Sequence, residues 1–278
     1  MTAGEVHLQR CLLDLTETFA KCELSVSEPL VPFRETVVKP PDTDMVNQCI
    51  EAENKVVRKN EEEEEGVENS LVTIETLNKQ CQLSLQVFPL PAELTKLLED
   101  NVDLLRAVDR DRGGKSVSLL TEKTLQLLAD LRHQVSVLMD KDPDLAGLGD
   151  SVWCVGPRRC GPNMLINRVT GYRRGSLWSP DIDKNDPRSD LDSSLVNGFQ
   201  LATLAGPLCD EPMMGVAIVV SRWDVADEGD SVTWGPLSGQ VMSSVKEGCR
   251  RAFQSRPQRL MVAMYSCNIQ VRSECCML

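Results

Sequence analysis

Two groups of arginines are the residues of this chain best suited to bind a ligand. The first lies in residues 151–175, which contain no acidic residue, and the second lies in residues 250–259. Guanidinium groups donate charge-assisted hydrogen bonds to phosphate oxygens, so both groups predict contact with RNA phosphates. A solvated surface offset by neighbouring acids is the alternative, and the sequence does not decide between them. The candidate contacts are Arg158, Arg159, Arg168, Arg173, Arg174, Arg250 and Arg251.

No motif for catalysis, cofactor binding or metal binding accompanies these arginines. Gly113-Gly-Lys-Ser116 is similar to the end of a phosphate-binding loop, but Asp109 occupies the position of the loop's first glycine, and its carboxylate would repel phosphate. We therefore predict a surface turn. His7 and Cys11 lie one helical turn apart without a third group to orient them, and no cysteine pair has zinc-site spacing. We expect no enzymatic activity, cofactor or metal.

The composition is that of an acidic, mostly globular chain. It has 278 residues, a formal charge of −12 and 41% hydrophobic residues, which is enough apolar material for at least one core. Because the overall negative charge repels nucleic acid, any RNA contact must be local, and DNA is not expected as a partner. The eleven cysteines are scattered and never form a C-x-x-C pair, which predicts reduced, mostly buried thiols in a cytoplasmic protein.

Membrane attachment is not expected. The sequence has no run of eighteen apolar residues, so no segment is predicted to span a membrane. The last four residues, Cys275-Cys-Met-Leu278, fit the pattern for prenylation of Cys275. Stable anchoring needs a second signal, and we favour an accidental tail over a lipidated cysteine.

The elements that must position the arginines are predicted from hydrophobic spacing. Residues 8–19 carry apolar side chains at helical spacing, and residues 22–26 alternate as a strand. An extended segment follows over residues 33–38. Residues 40–70 are polar and contain five consecutive glutamates, 61–65, which predicts a disordered acidic insertion on the surface.

The remaining chain predicts a mixture of strands and helices. Residues 71–77 and 83–87 have the pattern of an antiparallel pair with one wet face. Helices are predicted over residues 93–108, 122–139, 192–204 and 240–253. Strands are predicted over residues 151–155, 164–166, 216–220 and 260–271. This mixed order defines an α+β fold class.

Several segments resemble the elongation factor 2 family. Residues 198–215, 238–254 and 257–261 are similar to the fourth domain of that family, as are its entry at residues 27–36 and a middle segment at residues 153–165. Residues 4–13 are similar to the last helix and strand of the third domain. The resemblance covers most of the chain outside the acidic insertion and the tail.

This resemblance implies a domain organisation. Residues 1–28 would be the end of a ferredoxin-like third domain, and residues 29–256 a body of the ribosomal protein S5 domain 2 type. Residues 257–278 would be the first strand of a truncated ferredoxin-like fifth domain and an unrelated tail. GTP and Mg²⁺ belong to a domain of the full-length family that has no counterpart here, so this chain is expected not to hydrolyse GTP.

One departure from elongation factor 2 indicates a branch of the family. Residues 230–240 correspond to a stretch that carries a modified histidine, and here they contain Trp234 and no histidine. The chain is therefore more similar to the elongation-factor-like GTPases of 60S subunit maturation. Such proteins work with the Shwachman–Diamond syndrome protein to evict initiation factor 6. Trp234 joins the candidate contacts with the ribosome.

The leading hypothesis from the sequence is a ribosome-interaction module. Residues 226–238 would point a loop at the 60S subunit, while the arginines would hold rRNA phosphates. A nonfunctional or competing truncated form is one alternative, and a fragment of a translocation factor is another. A kinase of small metabolites shares the S5-like fold but needs a glycine-rich phosphate loop that this sequence lacks.

Overall fold

The described part of the chain divides into two units. The computed structural model describes residues 5–20, 22, 24–26, 32–39, 71–113, 121–172, 176–178, 186–226 and 236–264. The units are residues 1–32 and residues 33–278. In the first unit α1 (Glu5–Asp14) continues into a π-helical segment, Leu15–Ala20, which confirms the predicted helix. The strand predicted at residues 22–26 is wrong, because residues 22 and 24–26 are irregular. The described residues of this unit offer no partner strand for their backbone groups.

Within the described residues, a mixed five-stranded sheet forms the centre of the second unit. It consists of β2 (Val72–Glu75), β3 (Cys81–Pro89), β4 (Val152–Gly156), β5 (Asn163–Asn167) and β6 (Val216–Val225). The strand order is β2-β3-β6-β5-β4, antiparallel except for the parallel pair β5 and β6. A separate two-stranded sheet pairs β1 (Phe33–Val37) antiparallel with β7 (Gln258–Val262).

Helices cover both faces of the five-stranded sheet. On one face lie α2 (Ala92–Asp100), α3 (Val102–Gly113) and α4 (Glu122–Met139), and on the other lie α5 (Asp192–Leu204) and α6 (Leu237–Gln254). Each face of the sheet carries its own hydrophobic core, and alternate side chains of β6 contribute to the two cores. Ile218 packs with α5 and α6, whereas Val219 packs with α2 and α4. The mixed sheet with interspersed helices confirms the predicted α+β class.

Some predicted elements differ in the structure. The predicted wet face of the β2–β3 pair is confirmed in part: Thr73 and Glu75 of β2 are exposed, whereas Ser84 and Gln86 of β3 are buried. Both buried side chains form hydrogen bonds within the sheet. The Ser84 hydroxyl lies 3.1 Å from the Thr73 hydroxyl, and Gln86 Oε1 accepts a hydrogen bond from the Ser221 hydroxyl at 3.1 Å. The single helix predicted over residues 93–108 is instead two helices separated at Asn101.

Strand lengths also change. β6 extends to Val225, five residues beyond the predicted end. β7 begins earlier than predicted and ends at Val262. Residues 265–271 of that predicted strand, and the predicted acidic insertion at residues 40–70, lie outside the described residues.

Glu35 on β1 is a fully buried carboxylate that connects the two-stranded sheet to the turn after α5. Its side chain accepts three backbone N–H groups from that turn, so its charge is satisfied without a cation. The donors are Leu208 at 2.9 Å, Cys209 at 2.9 Å and Glu211 at 3.1 Å. The turn approaches so closely that a Cβ on Gly206 would lie 2.1 Å from Glu35 Oε2, and only glycine fits there.

The cysteines among the described residues are free thiols. Four of these seven are buried, namely Cys81, Cys154, Cys160 and Cys249. Burial raises the pKa of the Cys81 thiol to about 11 and that of the Cys249 thiol to about 12, so both stay protonated and unreactive at neutral pH. None of the helices in the described ranges is long and apolar enough to cross a membrane.

We predict that Glu35→Gln destabilises the protein by about 2–3 kcal/mol. The amide keeps one acceptor oxygen but turns an NH₂ group toward N–H donors, which leaves buried donors unsatisfied. The free energy of unfolding, from urea denaturation of the full chain, measures the effect. Glu75→Gln is the matched control, because the Glu75 side chain is exposed on β2, and it should change stability by less than about 0.5 kcal/mol. Equal losses in the two variants would contradict this account of Glu35.

Candidate nucleic-acid interface

Arg158 and Arg159 lie at the tip of the turn between β4 and β5. Both have left-handed backbone conformations, with φ of +56° and +57°, which cost a residue with a Cβ about 1–2 kcal/mol each. The turn is closed by hydrogen bonds from the Cys160 N–H (3.3 Å) and the Gly161 N–H (3.0 Å) to the Pro157 carbonyl oxygen. The surrounding structure must therefore hold the turn in place.

Two buried or half-buried amides supply that support. Gln200 on α5 accepts the Arg159 backbone N–H at 2.8 Å and donates to the Val155 carbonyl oxygen at 2.8 Å. Asn163, fully buried at the start of β5, donates to the Gly156 carbonyl oxygen at 3.0 Å and accepts the Val216 N–H at 3.0 Å. Neither residue is among the contacts predicted from the sequence.

The two arginines of the turn differ in their side-chain partners. Arg158 is exposed, and its side chain makes no hydrogen bond or ion pair with any residue that the structure describes. Arg159 Nη1 donates to Asp109 Oδ1 of α3 at 3.2 Å, and Nη2 approaches Asn197 Oδ1 of α5 at 3.5 Å. Among the described residues, Arg158 therefore has no anionic partner, whereas Arg159 is already paired with the Asp109 carboxylate.

The arginines of the second group have largely structural contacts. Arg250 is half-buried on α6, where Nη1 donates to the Ala205 carbonyl oxygen at 3.1 Å and to Asp210 Oδ1 at 3.3 Å. It therefore satisfies a carbonyl at the end of α5. Arg251 is exposed and pairs with Glu247 one helical turn earlier, at 3.1 Å. An exposed pair of this kind contributes little to stability.

The predicted contacts do not form one patch. Arg158 and Arg159 precede β5, and Arg168 follows it, so the five-residue strand separates them by about 17 Å. Arg250 and Arg251 lie near the end of α6, and Arg256 donates to the Val87 carbonyl oxygen at 3.0 Å, beside the start of β6. Arg158, Arg159, Arg250 and Arg251 therefore share one end of the sheet, which we call the arginine end.

The other end of the sheet is where β6 stops and α6 begins. β6 has ten residues and α6 has eighteen, so this end lies about 30 Å from the arginine end. Arg168 lies toward it, exposed, with Nη2 donating to the Asp144 carbonyl oxygen at 3.4 Å. Arg173, Arg174, Trp234 and Cys275 lie outside the described residues. Among the residues described, no cluster of His, Cys, Asp and Glu could hold a metal ion.

Arg188 anchors the chain beside this second end, and the sequence analysis missed it. Its guanidinium pairs with Asp186 at 2.6 Å, donates to the Trp223 carbonyl oxygen at 3.2 Å and lies 4.8 Å from the centre of the Tyr172 ring. Tyr172, Trp153 and Trp223 form three edge-to-face ring pairs 5.0–6.1 Å apart. The hydrogen bonds from Arg188 lower the pKa of the Asp186 carboxyl group.

We predict that Asp186→Asn lowers stability by about 1 kcal/mol at pH 7. A carboxyl group with a lowered folded-state pKa adds stability above its unfolded pKa of about 3.9, and that stability is lost as the pH falls through the folded pKa. The difference between wild type and variant should therefore shrink below about pH 4. Urea denaturation at several pH values measures it. Asp190→Asn is the control, because Asp190 is exposed in the 3₁₀ helix Pro187–Leu191 that Asp186 caps. It should show no such difference.

Comparison with known proteins identifies the class to which this fold belongs. Residues 86–168, which include α2–α4, β4, β5 and the turn with Arg158 and Arg159, match the family model of the elongation factor-like GTPase 1-like domain. Human elongation factor-like GTPase 1 is 36% identical over 99% of this chain and 30% of its own length. The chain thus falls in the class of elongation-factor-like proteins.

Two yeast relatives are named for ribosome assembly. Ribosome assembly protein 1 of Schizosaccharomyces pombe is 32% identical over 99% of this chain and 27% of its own length. The protein of that name from Saccharomyces cerevisiae is 30% identical over 97% of this chain and 23% of its own length. The chain belongs to the elongation factor-like GTPase 1 family, which confirms the recognition from sequence, and it spans less than a third of these relatives.

Proposed function

We propose that this chain is a ribosome-interaction module of an elongation factor-like GTPase that acts in 60S subunit maturation. The names of the yeast relatives support a role in ribosome assembly. The proposed partners are the 60S subunit, through rRNA and protein, with the Shwachman–Diamond syndrome protein and initiation factor 6 in the same process. We further propose a cytoplasmic protein in which this chain contributes shape and charge, without GTP hydrolysis of its own.

The proposed domain assignment follows the family. Residues 29–256 would form a body of the ribosomal protein S5 domain 2 type, and residues 1–28 and 257–278 would belong to ferredoxin-like neighbours. The mixed sheet of residues 72–225, covered by helices on both faces, supports an α+β body. The pairing of β1 with β7 brings the two predicted boundaries of that body together.

The exposed Arg158 is the observation that carries the proposal of an RNA contact. Its backbone is fixed in a costly conformation, and its guanidinium is free among the residues that the structure describes. Fixing an arginine before binding reduces the entropy lost on contact with a phosphate. Strained residues cluster at functional sites, and this turn has two in succession.

The second end of the sheet supplies a different kind of contact in this proposal. The loop predicted to meet the subunit begins where β6 ends, and residues 224–230 include four acids. Such a segment repels phosphate, so rRNA is better held at the arginine end. A body about 30 Å long could then meet rRNA at one end and another part of the subunit at the other.

We predict that Arg158→Asn weakens binding to purified 60S subunits by about three- to tenfold, the effect of one lost phosphate contact. Asparagine tolerates a left-handed backbone, so the turn should persist and thermal stability should not change. Sedimentation of the full chain with subunits, between about 50 and 200 mM salt, measures the affinity, and the wild-type affinity should fall steeply with salt.

Lys123→Gln is the matched control for this experiment. Lys123 is exposed in the first turn of α4, so the substitution removes the same charge from a different element. It should change the affinity by less than about twofold. The proposal is wrong if wild-type protein shows no salt-sensitive association, or if both variants lose the same affinity.

A further inference from the structure

We propose that Asp109 is a built-in competitor for RNA phosphate at Arg159. The inference rests on the proposed function, because it concerns the same turn and the same ligand class, a phosphodiester. In the free protein the Asp109 carboxylate occupies the Arg159 guanidinium while Arg158 is open. On binding, a phosphate displaces Asp109, and the turn then presents two adjacent arginines to the RNA backbone.

The geometry makes Asp109 displaceable. The Arg159 Nη1 to Asp109 Oδ1 distance is 3.2 Å, and the two side chains are 44% and 36% exposed. The contact is made through one nitrogen and one oxygen, without the paired hydrogen bonds that make arginine–carboxylate contacts strong. Exposed ion pairs of this kind are weak. A phosphodiester carries the same single negative charge as the carboxylate and can accept two hydrogen bonds from the guanidinium group, so it can replace Asp109.

The backbone of the turn does not depend on this ion pair. The Arg159 N–H is held by Gln200, and the neighbouring strand ends are held by Asn163. Loss of the Asp109 contact therefore releases the guanidinium while the Cα position stays fixed. This separation allows Arg159 to change partners without unfolding the turn.

Removing the competitor should strengthen RNA binding. Asp109→Asn should raise the affinity of the full chain for 60S subunits, and for a single-stranded oligouridylate, by about two- to fivefold. Asp103→Asn is the control, because Asp103 lies on the same helix α3, is fully exposed, pairs with Arg106 and carries the same charge. It should change either affinity by less than about 1.5-fold.

A double-mutant cycle separates a specific competitor from a general charge effect. In an Arg159→Asn background, Asp109→Asn should no longer raise the affinity, because the residue that it frees is absent. An equal gain in both backgrounds, or an equal gain from Asp103→Asn, would overturn the proposal. Asparagine is chosen at position 159 because it tolerates the left-handed backbone.

Phenylglyoxal modification, followed by peptide mass spectrometry, tests the ion pair without any ligand. In the free wild-type chain Arg158 should react faster than Arg159, and Asp109→Asn should raise the Arg159 rate at least twofold while Asp103→Asn leaves it unchanged. If the wild-type chain binds neither subunits nor oligouridylate, the proposed function is wrong. The claim that phosphate displaces Asp109 is then wrong as well. An unchanged Arg159 rate with intact subunit binding overturns the inference alone.

Discussion

The buried carboxylate of Glu35 is the interaction on which the arrangement of the arginine end depends. It fixes the turn after α5 from the position of β1, through three backbone hydrogen bonds. The same turn contains Asp210, which pairs with Arg250 of α6. Because β1 pairs with β7, and α6 leads directly into β7, this one side chain connects the start and the end of the second unit. A buried carboxylate that accepts several backbone N–H groups tolerates little displacement.

Much of the fold could be predicted from spacing, and the reasons for success and failure are physical. The bounds of α5 were predicted to the residue, because its apolar residues recur at helical spacing between a polar segment and the Gly206-Pro207 turn. The wet face of the β2–β3 pair was right for Thr73 and Glu75, which are exposed. It was wrong for Ser84 and Gln86, which are buried and satisfied by cross-strand hydroxyl groups. The strand at residues 22–26 lacked a partner, which alternation alone does not reveal.

The candidate site was predicted less well, because the sequence shows where the arginines are but not which groups their side chains contact in the fold. Arg158 and Arg159 are consecutive and identical in type, yet an acid fifty residues away distinguishes them. Arg250 reads as a basic surface residue, but it caps the end of a helix. Glu35, Gln200 and Asn163 have no sequence signal of their function, because each acts on backbone groups that are distant in sequence. Left-handed conformation at two arginines likewise could not be anticipated, since turns usually place glycine or asparagine there.

The packed sheet holds its two ends at a fixed distance from each other. β6 and α6 both run the length of the second unit, and their cores are filled by large buried side chains such as Trp223 and Phe253. Close packing gives such a body low compressibility, so the two ends of the sheet keep a fixed separation. Arg188, held by Asp186 and stacked on Tyr172, fixes that second end. In the proposed exchange, Arg159 would therefore trade the Asp109 carboxylate for a phosphate without deforming the body that positions the other end.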